Sequence, residues 1–347
     1  MADQICHALV QKAGDFLMLT YIVRRVLYML PLLLVISLVS FAIIWLMPGD
    51  YITQFRLNPD VTQETYNAMA ARYGLDKPFV LQYWCWLKGI VTRADFGISF
   101  ETKRPVFYTL FMGGRLMWTL VIATSTLFLT YLFAIPLGIY SATHQYKISD
   151  HTFTFFGFLG LSIPNFFFAL VILWVLVALF HVGEHGLGIG GLLDNRFINA
   201  PLSFAKVGNL LWHLWPAWLV IGTSGMAGLL RYMRASLLDT LSLQYIQTAR
   251  AKGLSEHIVI YKHAVRNAIN PLVSILGLQL PGLVTGSIIT AIILNLPTVG
   301  RAYFTALQMQ DQYVIMGGLL FFSLFLLIGN LVADILLAWV DPRIRYD

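Results

Sequence analysis

Six apolar runs dominate this sequence, and the first of them, Val26 to Met47, contains no charged residue at all. At about 1.5 Å per residue, a helix of that length covers the roughly 30 Å hydrocarbon core of a bilayer. Lipid offers backbone N–H and C=O groups no partner, so such runs cross it as helices. The remaining runs lie near 116–141, 152–180, 210–230, 269–294 and 314–340. The chain therefore reads as an all-α membrane protein. Composition agrees: 58% of residues are apolar and 12% charged, with a mean hydropathy of +0.72, whereas a soluble domain is about a quarter charged. The net charge of +6 points to basic cytoplasmic loops and not to nucleic acid, because no basic patch is interleaved with aromatics in a soluble module.

Six spans put both termini on one side. Lys and Arg number 3, 1, 6 and 2 in the N-terminal segment, the 142–151 loop, the 231–266 loop and the tail, against 2 and 1 in the two short opposite loops. The 50–115 segment holds 8, but long loops translocate largely regardless of charge. The expected organisation is a cytoplasmic segment 1–25, a first span 26–47, a small external subdomain 48–115 and a membrane core 116–347. Pro48-Gly49-Asp50 stops the first span. No small-residue cleavage site follows that run, so it reads as an anchor and not a removed signal. Cys6 and Cys85 fall on opposite sides, which excludes an intrachain disulfide. Tyr83, Trp84 and Trp86 read mainly as interfacial anchors.

Within the core, residues 239–267 form a polar, basic island with helix grammar throughout. Gln247, Thr248, Ala249, Arg250, Ala251 and Lys252 make a helical stretch without a breaker. Gly253 supplies a permissive turn, and Ser255 can cap the next helix. There Leu254, Ile258, Tyr261 and Val265 recur at helical spacing. Helix, tight turn, helix, with one apolar and one basic face, is a surface built to touch something; the plainer alternative is a loop that only sets topology.

The island resembles the cytoplasmic loop of ABC-transporter permeases, whose signature is Glu-Ala-Ala, three residues, Gly, nine residues, then Ile-x-Leu-Pro. Placed on Gly253, this chain has Gln247-Thr248-Ala249 at the first site and His263-Ala264-Val265-Arg266 at the last. Glu is thus replaced by Gln and the closing Pro by Arg. Those departures look like the dipeptide/oligopeptide/nickel branch, as do PGD at 48–50, RYGLDKP at 72–78, DFGIS at 95–99 and DPRIR at 341–345. Met18 would begin a chain of ordinary form for that family. The resemblance implies six helices of the type I ABC importer permease kind. It also implies a homologous second permease subunit, two ABC ATPase subunits that hold ATP and Mg, and an external solute-binding protein. This chain itself would bind no cofactor and have no catalytic residue. Gln247, Thr248, Ala249, Arg250, Lys252, Gly253, Leu254, Glu256, Ile258 and Tyr261 would couple to the ATPase, with Leu254, Ile258 and Tyr261 in its cleft. The location implied is a bacterial inner membrane. Peptide is the expected cargo, with nickel or another small solute as the alternative.

The fifth run carries Pro281, Gly282 and Gly286. Pro281 should kink it, and the two glycines should let another helix come close. Asn165, Gln279, Pro281, Gly282 and Asn295 are the candidate residues of a translocation path. Ser224 and Gly228 give the fourth run a similar small face. Asp334 is the clearest intramembrane charge, which makes it a functional candidate, but near the inner end of the sixth run it reads rather as a carboxylate that reaches water. His181 and His185 flank Glu184; no metal site is assigned. The chain lacks G-x-x-x-x-G-K-[ST], and its glycine-rich 183–191 stretch is followed by neither Lys-Ser nor Lys-Thr, so it does not itself cradle ATP. Two other readings compete. Gly222-Thr223-Ser224-Gly225 fits an intramembrane serine protease, but no histidine follows His263 to serve as base. A passive channel or secondary transporter would leave the island without a purpose.

Overall fold

The computed structural model describes residues 2–47, 52–53, 62–182, 188 and 190–340; of these, the side chains of 2–19, 21, 72, 73, 278, 280, 281, 285 and 337–340 are not described. The Pro48-Gly49-Asp50 stop, Glu184, His185 and the 341–345 tail lie outside the described residues, as does the side chain of Cys6. Cys85 is a free, exposed thiol.

The described residues are helical, with a single isolated antiparallel bridge, Ile98 to Pro105. Among the described residues three helices are long and apolar enough to cross a membrane: Ile22–Leu46, Arg115–Thr143 and Gln312–Leu336. Two bent pairs raise that to five if each is one span. The third run was expected as one span but breaks into α6 (Ile148–Ser162) and α7 (Asn165–Ala178), bent by 103°. The cause is local. Ile163 precedes proline and is extended (ψ 120), and Pro164 brings no N–H to continue the ladder. The expected fourth run lies in α9 (Phe204–Leu241), whose 38 residues would extend about 57 Å. Tryptophans, His213 and the Gly222–Gly225 segment dilute its apolarity, and it is not among the spans that pass by composition. Leu214, Ala217, Val220, Leu229, Met233 and Leu237 are buried along it.

The chain forms two compact units: 1–25 with 121–296 and 326–347, and 26–120 with 297–325. In the first, α9 packs on α6, α7 and α13 (Asn270–Gly286). Close approach is set by glycines. A Cβ on Gly138 would lie 2.7 Å from Met233 Cβ, and one on Gly277 would lie 2.5 Å from Ala333 Cβ and 2.6 Å from Gly329 O. Gly282, Gly286 and Gly228 have nothing within 4 Å of a built Cβ. The tight contact of α13 thus falls at Gly277, not at the Gly282/Gly286 face expected from sequence. Asp334 pairs with Arg25 at 3.3 Å.

In the second unit, Phe41 gathers Phe79, Tyr83 and Trp86 at ring distances of 5.4, 5.4 and 5.9 Å. Trp86 is buried and donates to Phe96 O at 3.2 Å, and Tyr83 shares a 2.8 Å hydrogen bond with Ser37. Trp84 is exposed. Two of the three aromatics read as interfacial anchors therefore build packing instead. Asp311 is fully buried. Its carboxylate accepts from Ser99 Oγ at 2.6 Å, from Glu101 N at 3.2 Å and from Val314 N at 3.4 Å, tying the 99–101 turn to the start of α16 (Gln312–Val340). Burial raises the Asp311 pKa, and these hydrogen bonds partly oppose it.

Candidate functional site

The basic island is three short helices and a π-helical turn. α10 (Gln244–Ala251) ends in Lys252 and Gly253. Gly253 is left-handed, with φ +78. Its N–H donates to Arg250 O at 2.9 Å, and Leu254 N–H donates to Ala249 O at 3.4 Å. This is a Schellman closure, which satisfies carbonyls that the helix end would leave unpaired. Ser255 takes the extended N-cap position of α11 (Glu256–Ile258), but its side chain makes no capping bond. Arg250 reaches across the turn to Glu256 with two hydrogen bonds, Nε at 3.2 Å and Nη2 at 2.6 Å. Both side chains are largely exposed, so the pair contributes about 0–1 kcal/mol and acts mainly to orient the two helices. Thr248 Oγ1 donates to Gln244 O at 2.9 Å and Gln247 Nε2 to Ser242 O at 3.4 Å, so both side chains are used within α10 and its cap.

The second helix does not keep the expected period. Val259–Ala264 is π-helical, followed by α12 (Val265–Ala268). The buried positions are Val259, Ala264, Ala268 and Leu272, spaced by five and then by four. They join Ile246 and Ala249 of α10 with Leu229, Leu230, Met233 and Leu237 of α9 in one core. The inserted residue of the π turn brings the inward stripe into line with α13. Leu254, Ile258 and Tyr261 stay on the other side, at 39, 40 and 53% exposure. Only Val265 of the expected apolar face packs against the core. The island thus has two apolar faces, one anchored inward and one facing out.

Arg234, which precedes the island in sequence, has its partner elsewhere. On α9 it grips Asp150 of α6 through Nε at 2.9 Å and Nη2 at 2.8 Å. Asp150 also accepts from Ser141 Oγ and from Tyr146 N. Sequence reading missed this clip, since its members are 84 residues apart. It missed a second one at Asp194, Asn209 and His213, all buried. Asp194 accepts from Gly188 N and from Asn209 Nδ2, both at 2.6 Å, and His213 Nε2 lies 3.5 Å from it.

The candidate path residues stand on separate elements. Asn165 opens α7 and is partly buried. Gln279 is also partly buried and lies where the chain bends by 55° between Glu256–Gly277 and Gly282–Ile293, the break that includes Pro281. Gly282 is exposed. Asn295 has φ +53 and closes α14 (Ile288–Ile293): its N–H donates to Ile292 O, and Leu296 N–H to Ala291 O. Asparagine tolerates that left-handed position better than most side chains do. Ser224 donates to Ile221 O of its own helix at 3.4 Å. His213, on the same helix, lies about 16 Å away along its axis and is held at Asp194, so Ser224 has no base there. His181 ends α7's turn with φ +50. Among the described residues no three His, Cys, Asp or Glu side chains converge to hold a metal ion.

Residues 134–346 match the model of the binding-protein-dependent transport system inner membrane component, and residues 18–131 match the N-terminal model of the same membrane components. The chain belongs to this permease family. It is 37% identical over 329 residues to the oligopeptide transport system permease protein AppB of Bacillus subtilis, covering 95% of this chain and 100% of that one. It is 30% identical over 340 residues to the dipeptide transport system permease protein DppB of Escherichia coli K12, covering 95% and 99%. It is 32% identical over 330 residues to the glutathione transport system permease protein GsiC of Shigella boydii, covering 95% and 100%. This permease is accordingly a multi-pass component of an inner membrane, and its transport system is one that works with a solute-binding protein.

Proposed function

We propose that this permease forms, with a homologous second permease, the channel of an ATP-driven importer of di- or oligopeptides. In this reading six spans place both termini in the cytoplasm, α9 supplies the fourth, and 48–115 is external. Two separate ATPase subunits hold ATP and Mg beneath the island, and an external binding protein delivers the cargo. The peptide assignment is supported by the relatives, two of which are named for oligopeptide and dipeptide transport. ATP moves the channel only if it binds the outward-facing arrangement better than the inward-facing one.

One observation carries the coupling. Leu254, Ile258 and Tyr261 are exposed on a segment whose opposite face is anchored in the core by Val259, Ala264 and Ala268. An apolar patch held on a rigid element, with Arg250 and Glu256 pairing at its rim, suits insertion into a cleft of the ATPase. Force applied at that patch reaches α9 and α13 through the shared core.

The test is purification of the tagged chain from its own host in mild detergent, with mass spectrometry of its companions. Wild type should bring a second permease, one or two P-loop ATPases and a solute-binding protein. Ile258→Asp should lose the ATPases and keep the second permease, because a carboxylate buried in an apolar cleft costs several kcal/mol, on the order of its desolvation. A chain that emerges without ATPase, or an Ile258→Asp variant that retains it, refutes the assignment.

A further inference from the structure

A cavity of about 280 Å³ opens between α6 and α9. Its wall is apolar, formed by Gly157, Phe158 and Leu161 on one side and Ala227 and Leu230 on the other. The two helices are near each other here: a Cβ on Gly157 would lie in ordinary contact, 3.8 Å from Ala227 Cβ. One end is polar, lined by Arg231, Arg234, Asp150 and His151.

The two arginines are not equivalent. Arg234 is neutralised, because Asp150 accepts two hydrogen bonds from it and is saturated by Ser141 and Tyr146 as well. Arg231 meets no carboxylate among the described residues. It is exposed, and its guanidinium stands 5.8 Å over the Phe158 ring. The cavity therefore carries one uncompensated positive charge at the mouth of an apolar slot. The adjoining α6 surface continues that slot, with Phe155, Phe158 and Leu161 at 59, 50 and 43% exposure.

We propose that this cleft binds an anionic phospholipid of the cytoplasmic leaflet. The inference rests on the topology given above, which puts the Arg231 end at the cytoplasmic surface. The guanidinium fork of Arg231 grips the phosphate diester, with its planar donors matched to two oxygens. One acyl chain lies in the slot over Gly157 and along Phe158 and Leu161. A cationic pocket between membrane helices on the cytoplasmic side suits anionic headgroups, each nearby cation contributing about 1 kcal/mol. A zwitterionic lipid supplies the same phosphate, but its choline or ethanolamine would oppose Arg231, so selectivity for net negative charge follows.

The test uses the whole assembly as it purifies, placed in nanodiscs of phosphatidylglycerol and phosphatidylcholine and then extracted, with retained lipid quantified by mass spectrometry. Wild type should retain phosphatidylglycerol over phosphatidylcholine. Arg231→Gln should lower that preference about five-fold, the share one cation near an anionic headgroup carries. Arg231→Lys should restore most of it, and Gly157→Leu should expel lipid of either kind by filling the slot. An unchanged preference in Arg231→Gln overturns the proposal, as does a map of the assembly in which a helix of the second permease fills the cleft. So does protection of Arg231 by inorganic phosphate alone, with no lipid retained. Companion subunits are read separately in the same preparation. Loss of lipid preference with ATPases present therefore counts against this cleft only, and absence of ATPases with lipid retained counts against the importer.

Discussion

Replacing Gly253 tests whether the island transmits force as a rigid turn. Its φ of +78 is left-handed, where an L side chain costs about 1–2 kcal/mol and a β-branched one is a strong outlier. A built Cβ at Gly253 has nothing within 4 Å, so the penalty is conformational and not steric. Asparagine tolerates the region, alanine does so less well, and valine least. For Gly253→Val about 2 kcal/mol is lost from the closed turn, together with the Gly253-to-Arg250 and Leu254-to-Ala249 hydrogen bonds. At about 1.4 kcal/mol per tenfold, that is roughly a 30-fold fall in the population holding Leu254 and Ile258 in position. The assay is peptide uptake per ATP hydrolysed in proteoliposomes of the complete assembly. The ratio should fall in the order Gly, Asn, Ala, Val while ATP hydrolysis persists. Native coupling in Gly253→Val refutes the rigid-turn argument. Equal loss in Asn and Val would refute it too, because the position would then exclude side chains through contact and not through backbone angle.

Gly277→Ala should destabilise the chain by about 1–3 kcal/mol through overpacking, since the new methyl meets Gly329 O at 2.6 Å and backbone cannot yield. Gly282→Ala, with open space around it, should not change the thermal midpoint of the isolated chain in detergent; equal losses would contradict the packing described. Asp150→Asn should cost about 3 kcal/mol by leaving Arg234 without its buried carboxylate, read as a lower thermal midpoint; an unchanged midpoint would mean the clip adds nothing. Asp311 carries a raised pKa in the folded chain. The fold therefore binds that proton more tightly than the unfolded chain does. Its contribution is greatest below the ordinary carboxylate pKa and is lost as pH rises through the raised value. Hydrogen exchange in the 99–106 segment, corrected for intrinsic rate, should show more protection on acidification, and Asp311→Asn should flatten that trend; protection that falls on acidification would reverse the sign and refute it.

The helical class was legible because a bilayer leaves the backbone few choices. The Gly253 turn was legible because few residues other than glycine take its angle at low cost. The bend at Ile163-Pro164 followed a rule visible in the sequence, yet the apolar run masked it, since periodicity does not register a missing N–H. The π turn was hidden for another reason. Leu254, Ile258, Tyr261 and Val265 fit an ordinary helix so well that the five-residue step from Val259 to Ala264 had no signal of its own. Only the need to bury both ends of that segment against α9 selects it.

The clips were beyond sequence altogether. Asp150 with Arg234, and Asp194 with Asn209 and His213, pair residues that no local pattern relates, and a charge near a membrane looks the same whether it is solvated or saturated. Likewise Gly277, Gly282 and Gly286 are equivalent as letters, and only the neighbour in space shows which of them a helix presses against. By itself the sequence determined that the chain is helical and membrane-embedded, and that residues 239–267 turn at Gly253, because solvation and backbone stereochemistry act locally. Tertiary structure alone decided which apolar face of the island is anchored, which glycine is filled and which arginine is left with charge to spare, because burial and pairing belong to residues brought together from distant parts of the chain.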